Sequence, residues 1–421
     1  MIFELLIAGV GALLFAPLLY TDRANKICQS KELRDLMGDG LLCSKKVRLS
    51  VNQSNEHALM VAPSGAGKSR SFIMPNVDEL EDCTLIVTDP SCEICKECTP
   101  DKKKYIFNPF SNNSIGYDPL LNCKSEFEVR KIAKTILANG MVQDNKHQKE
   151  WVDMATPLLA AYMLFNYHTK KYSFAKMVRN ICTAPIIEKD EPCICGEIFS
   201  SNIKSAKVEM AAFMQVFEAK QTLSSIRTVL NTCLQVFLDD SVQALLEKPN
   251  IDFSAFRKMQ SVLYIQIPER HADYYAPLTA TLITQLLDRL LDEEGLQVYM
   301  LFDEFANVGQ IPYIGKLLST ARKHRICIVA AIQSIAQFER VYGDAGIEIK
   351  ELFKTLLITG GLRQSAEYVA NLLGVEIDNK TGQAKPLMTA DEVRRLGRDE
   401  ILILCNNKRP VLDRMLDRVV A

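Results

Sequence analysis

The sequence predicts an α/β fold, a mainly parallel sheet interrupted by an all-α insertion and preceded by a membrane helix. Three observations carry that expectation. First, short wholly apolar runs end in polar residues, as buried parallel strands do when their tips enter a site. Val298-Tyr-Met-Leu-Phe-Asp303-Glu304 and Arg325-Ile-Cys-Ile-Val-Ala-Ala-Ile-Gln333 are the clearest. Second, between residues 124 and 250 the apolar positions recur at helical spacing instead. Third, an uncharged run of 16 residues, Leu5 to Tyr20, stands near the start of the chain.

The whole chain is large enough to bury a substantial core. Its 421 residues suggest two or three domains, and 48% hydrophobic with 24% charged content argues against disorder. A formal net charge of -1 excludes nucleic-acid binding by bulk charge alone, so any such contact requires a local patch or several subunits together. The 13 cysteines are odd in number and do not resemble a secreted disulfide framework. Cys83, Cys327 and Cys405 lie in apolar runs, where cysteine acts as a small buried hydrophobe, and a reducing compartment follows.

Taken in order, residues 1–22 read as a membrane anchor. A spanning helix needs about 20 apolar residues, so the run is short, and a buried core helix is the plain alternative. No Lys or Arg precedes it, which fits a cleaved signal peptide poorly. Arg23, Lys26, Lys31 and Arg34 follow at once and place the bulk of the chain on the cytoplasmic side of a cell membrane.

Next comes Ala58 to Val61, an apolar strand running into Ala62-Pro-Ser-Gly-Ala-Gly-Lys68-Ser69. This is the P-loop pattern with Ala62 in place of the first glycine. Gly65 and Gly67 let the backbone turn its N–H groups inward onto phosphate oxygens. Pro63, Ser64, Gly65, Ala66, Gly67, Lys68, Ser69 and Arg70 are therefore the candidate ATP contacts. Lys68 is placed to reach the terminal phosphates and Ser69 to hold Mg²⁺. A glycine-rich turn that binds nothing is the alternative, and the acidic strand end argues against it. There Asp303 is the second candidate Mg²⁺ ligand and Glu304 the candidate base for an attacking water. Gln333, at the tip of the next apolar run, is a candidate sensor of the terminal phosphate or of that water.

Lys68 and Asp303 are 235 residues apart, far more than a few βα units require. Further strands are expected at Thr84–Thr88, Tyr105–Phe107 and Val262–Ile267, and beyond Gln333 at Thr355–Thr359 and Ile401–Leu404. The helical positions between them include Ile132, Ile136 and Leu137, then Leu158, Leu159, Tyr162 and Met163, then Met210, Phe213, Met214 and Phe217. The resulting division is 45–123 and 251–421 for the nucleotide-binding domain and 124–250 for the insertion. That insertion carries 15 Lys and Arg against 14 Asp and Glu over residues 125–250, so no basic stripe marks it. Cys92, Cys95 and Cys98 have metal-like spacing, with no convincing fourth ligand nearby; three-residue gaps also fit one side of a helix.

These motifs, in this order, resemble the TraG-type coupling ATPases of bacterial conjugation and type IV secretion. The resemblance runs from about His57 to Leu416. It rests on the P-loop, Ile86-Val-Thr-Asp-Pro-Ser-Cys-Glu93, Phe107-Asn-Pro109 with Tyr117-Asp-Pro-Leu120, and Leu301-Phe-Asp-Glu-Phe-Ala-Asn-Val-Gly309. It continues through Ala331-Ile-Gln-Ser334, Ile358-Thr-Gly-Gly361, Ala366-Glu-Tyr-Val-Ala-Asn-Leu-Leu-Gly374 and Pro386-Leu-Met-Thr-Ala-Asp-Glu-Val-Arg394. The resemblance implies a RecA-like P-loop NTPase with an all-α insertion, assembled as a homo-hexamer at the membrane. It also implies ATP-driven delivery of relaxase-bound single-stranded DNA to the components of a type IV secretion channel. Arg322 sits where such rings place an arginine that reaches the neighbouring subunit's nucleotide; a helix-surface arginine is the alternative. One apolar segment stands where members of the family commonly have two, and Ser91-Cys92-Glu93 stands where they commonly have Lys-Gly-Glu. Two rival functions differ in class: a substrate receptor gated by nucleotide without pumping, and a packaging or segregation motor of similar core.

Overall fold

The computed structural model describes residues 33–141, 146–188, 192–216, 220–377 and 383–417. The expected membrane anchor, residues 1–22, and Phe217 lie outside the described residues. Among those described, no helix is long and apolar enough to cross a membrane.

Eleven strands form among the described residues: β1 (Ala58–Val61), β2 (Cys83–Thr88), β3 (Lys103–Phe107), β4 (Ser261–Ile265), β5 (Gln297–Phe302), β6 (Ile326–Ile332), β7 (Thr355–Thr359), β8 (Val375–Ile377), β9 (Ala384–Pro386), β10 (Glu400–Cys405) and β11 (Val411–Arg414). Nine of them make one sheet in the order β11-β10-β7-β1-β6-β5-β2-β4-β3, and β8 with β9 makes a small antiparallel hairpin. Strands β7 through β3 run parallel; β10 and β11 add an antiparallel edge.

The apolar runs are continuous because both faces of the sheet are covered. Along β6, Ile326, Ile328, Ala330 and Ile332 face one core, while Cys327, Val329 and Ala331 face the other. Strands β1 and β5 alternate in the same way, with Leu59, Val61, Met300 and Phe302 on the first side and Met60 and Leu301 on the second. Cys83, Cys327 and Cys405 are buried in the second core.

The first core is shared with the helical insertion. Its helices include Glu126–Asn139, Lys146–Thr169, Phe174–Thr183, Lys204–Val216 and Lys220–Leu234. Ser125 and Ser173 cap two of them by accepting the backbone N–H groups of Glu128 and Lys176. Ile132, Ile136, Leu137, Leu158, Leu159, Tyr162, Met163, Met210 and Phe213 are buried. A 21-residue helix, Ala272–Asp292, joins β4 to β5 and packs between sheet and insertion through Leu278, Leu282, Leu286 and Leu290. The insertion therefore does not close a separate core: one apolar cluster runs from β6 to Phe213.

Beside the sheet edge, Arg257 is buried and donates to the carbonyls of Leu290, Glu293, Leu296 and His324. Four carbonyls in place of a carboxylate leave its charge without a counter-ion, and burial pushes its pKa down to about 10.

Candidate nucleotide site

Sheet order decides the site. Strands β1, β6 and β5 are neighbours, with Val61 opposite Ile332 and Phe302 opposite Ala330. The segments leaving their C-terminal ends therefore meet at one edge: the P-loop after β1, Gln333 after β6, and Asp303-Glu304 after β5. The Ala62 amide continues the ladder, donating to the Ile332 carbonyl at 3.0 Å.

The loop turns at two glycines with left-handed backbone, Gly65 at φ 76° and Gly67 at φ 86°. A side chain at Gly65 would meet no atom within 4 Å, so that position is reserved by conformation, with open space above it. Lys68 then starts a helix that is of π type over Ser69–Ile73 and α over Met74–Glu79. The N–H groups that open a helix lack intrahelical partners, which suits an anion at this end.

Two contacts join the loop to the end of β5. Lys68 Nζ lies 3.1 Å from Glu304 Oε2, with both side chains about nine-tenths buried (11% and 8% exposed). Ser69 Oγ lies 2.8 and 2.7 Å from the two oxygens of Asp303. The donor set fits Mg²⁺, a hard cation that takes a hydroxyl and a carboxylate oxygen beside substrate phosphates. Burial raises the Asp303 carboxyl above the usual 3.8, while the Ser69 hydrogen bond and Lys68 oppose the rise. A carboxylate penalised by burial gains from a cation placed beside it.

Glu304 is held on both oxygens. Gln333 Nε2 donates to Oε2 at 3.0 Å and Gln337 Nε2 donates to Oε1 at 3.0 Å. Gln337 is the residue that sequence reasoning missed. It lies in the helix Ala336–Tyr342 that follows Gln333, and its Oε1 accepts the Gln333 amide at 2.6 Å. The Gln-x-x-x-Gln spacing was the available signal. Thr88 was missed too: its hydroxyl accepts the Asp303 amide at 2.9 Å from the end of neighbouring β2. Next to it Asp89 is fully buried, accepting from the Ile94 and Cys95 amides and from Gln266.

Other candidates lie apart. Arg70 is exposed and 3.7 Å from Glu97. Arg322 pairs with Glu56, which precedes β1, so it stands at the opposite end of the sheet from Lys68 and cannot reach its own P-loop. Cys95 and Cys98 are buried, whereas Cys92 takes a left-handed backbone ahead of the helix Glu93–Glu97. Among the described residues no group of three or more side chains could hold a metal ion by itself.

Comparison with known proteins adds the following. The family model described as type IV secretory system conjugative DNA transfer matches residues 20–376. Protein VirD4 of Rhizobium radiobacter is 22% identical over 327 residues, 70% of this chain and 44% of its own length. Coupling protein TraD of Escherichia coli is 23% identical over 332 residues, 75% of this chain and 43% of its own. The chain thus spans less than half the length of these curated relatives. In fold it is similar to the plasmid coupling protein TrwB in complex with ADP and Mg²⁺, at TM-score 0.78 and 16% identity over 94% of both chains. VirB4 of Thermoanaerobacter pseudethanolicus is more distant, at TM-score 0.54 and 12% identity over 91% of this chain and 97% of its own.

Proposed function

Because the chain belongs to the conjugative DNA-transfer family of the type IV secretory system, we propose that it is a membrane-anchored, Mg²⁺-dependent ATPase that delivers relaxase-bound single-stranded DNA to a secretion channel, working as a homo-hexamer. The observation that carries the catalytic part is the meeting of Lys68 with Glu304 and of Ser69 with Asp303 at adjacent strand ends.

In this reading the P-loop amides and Lys68 hold the phosphates, and Ser69 and Asp303 hold the metal. Bound Mg²⁺ supplies charge neutralisation on the phosphate oxygens. Glu304 takes the proton of the attacking water, fixed in direction by Gln333 and Gln337. Lys68 must leave Glu304 to engage a terminal phosphate, which frees the carboxylate for its water. Arg322, at the far end of the sheet, acts on the nucleotide of the neighbouring subunit.

Phosphate release by the full chain, with and without a single-stranded oligonucleotide, tests this. Hydrolysis that rises with DNA and disappears in Lys68→Ala supports the motor. Nucleotide binding with no turnover at any protein concentration would replace it by the nucleotide-gated receptor.

A further inference from the structure

A second concave site lies away from the nucleotide edge. It is a cleft of about 910 Å³ between the insertion helices Glu126–Asn139 and Lys146–Thr169 on one side and the segments following β5 and β6 on the other. We propose that this cleft is a groove for single-stranded DNA, with Arg340 and Lys149 on phosphates and Phe127 and Tyr313 under bases. The proposal rests on the reading above that the chain handles DNA, and it names where.

Charge is the first argument. Five cationic side chains line the cleft with two carboxylates, Asp153 and Glu339, and two of the five are held by carboxylates behind it, Arg130 by Glu209 at 2.6 Å and Lys131 by Asp288 at 2.7 Å. Both carboxylates are engaged, Asp153 with Lys134 at 3.6 Å and Glu339 with Lys350 at 3.7 Å. Arg340 and Lys149 have no acidic partner among the described residues. In a chain of net charge -1, these two unpaired cations are the kind of local feature that any nucleic-acid contact needs.

Exposed aromatics are the second. Phe127 and Tyr313 are each 68% exposed at the rim, where burial against protein would be the usual fate of such rings. Tyr313 also holds a left-handed backbone, φ 57°, a costly conformation for this residue type that turns the chain just past Pro312. Cations tracking a backbone with aromatic platforms between them are the chemistry of single-strand binding. An acidic peptide would use the cations and leave the rings idle.

Position is the third. Two walls of the cleft are hydrogen-bonded to the segment carrying Glu304. Asn139, ending the first insertion helix, donates to the Gln310 carbonyl at 2.9 Å and accepts the Gln310 amide at 2.6 Å. Arg340 shares its helix with Gln337, which donates to Glu304.

Anisotropy titration of a labelled oligothymidine with the full chain, at several salt concentrations, tests the groove. Arg340→Ala and Lys149→Ala are each expected to weaken binding and to lower the slope of log Kd against log salt by about 0.7 per lost phosphate contact. Phe127→Ala and Tyr313→Ala are expected to weaken binding about tenfold with the slope unchanged. Lys258→Ala, an exposed charge far from the cleft, serves as control. Cleft variants that bind like the control, at unchanged melting temperature, would overturn the groove. So would polyglutamate of matched charge displacing DNA as well as unlabelled oligonucleotide does. Phosphate release on the same wild-type preparation separates the two claims. Hydrolysis without DNA binding removes the groove and keeps the ATPase; groove-dependent binding without hydrolysis keeps the groove and removes the motor.

Discussion

Replacing Glu304 by Gln separates the two roles proposed for it, partner of Lys68 and base for the attacking water. Lys68 Nζ sits 3.1 Å from Glu304 Oε2 with both groups mostly out of water. A hydrogen bond between charged groups contributes about 1.5–3 kcal/mol net, and binding a terminal phosphate requires Lys68 to give this one up. The glutamine has the same shape and no charge, so most of that cost disappears. Since about 1.4 kcal/mol is tenfold in affinity, Glu304→Gln is expected to bind ATP about ten- to a hundredfold more tightly. Hydrolysis falls meanwhile by about 10²- to 10⁴-fold with the loss of the base. Equilibrium titration with a fluorescent ATP analogue and single-turnover phosphate release measure the two effects on one preparation. Weaker ATP binding would refute the competition between Glu304 and phosphate for Lys68. Turnover near the wild-type rate would refute the base assignment.

Two further perturbations test the frame around the site. His57 is 3% exposed, with Nε2–H on the Leu318 carbonyl at 2.8 Å and Nδ1 accepting the Ile328 amide at 3.1 Å, and burial pushes its pKa from 6.5 to about 4. Between those values the unfolded chain binds a proton that the folded chain refuses, so stability is full above about pH 6.5 and falls by about 3 kcal/mol as pH drops to about 4. Urea unfolding of wild type and His57→Asn should show a stability difference that shrinks across that window; a difference constant with pH would sink the assignment. Asn139→Ala strips both partners from the Gln310 backbone, and each unsatisfied group costs about 1–3 kcal/mol. A fall of about 2–4 kcal/mol in unfolding free energy is expected, and a change below about 0.5 kcal/mol would show that the clasp is not holding the loop.

The strands and the P-loop were legible because their signals are local. Ala58–Val61 and Thr355–Thr359 are apolar runs bounded by polar residues, and the structure places strands at those same residues. Glu304 and Gln333 were legible as residues just past strand tips, since each follows an apolar run of five or more residues. The direction of β10 was not. Ile401-Leu-Ile-Leu404 announces burial on two faces and is silent on sense; β10 pairs antiparallel with β7 as well as with β11. Gln337 escaped for a different reason. Its contact depends on a helix beginning at Ala336, four residues after β6 ends, a geometry set by packing rather than by any residue in the run.

The clasp between Asn139 and Gln310 shows why the insertion could be seen in the sequence while its use could not. A gap of 235 residues between Lys68 and Asp303 announces inserted chain, and helical spacing gives its class. Nothing in either tells where the insertion touches the rest of the chain. The structure ties it to the segment after Glu304, where Gly309 at φ 85° comes so close to Asn139 that an added Cβ would stand 2.5 Å from its Oδ1. Tyr342 holds the same segment from the other side, its hydroxyl 3.4 Å from the Ile311 amide, on the helix that also supplies Gln337. The residues after Glu304 are thus fixed by the insertion at Gln310 and by the Gln337 helix at Ile311. Any displacement of that segment must strain one of these contacts or carry its owner along. The Glu304 carboxylate is therefore mechanically continuous with the Glu126–Asn139 and Ala336–Tyr342 walls of the cleft, through hydrogen bonds spanning only Glu304 to Ile311.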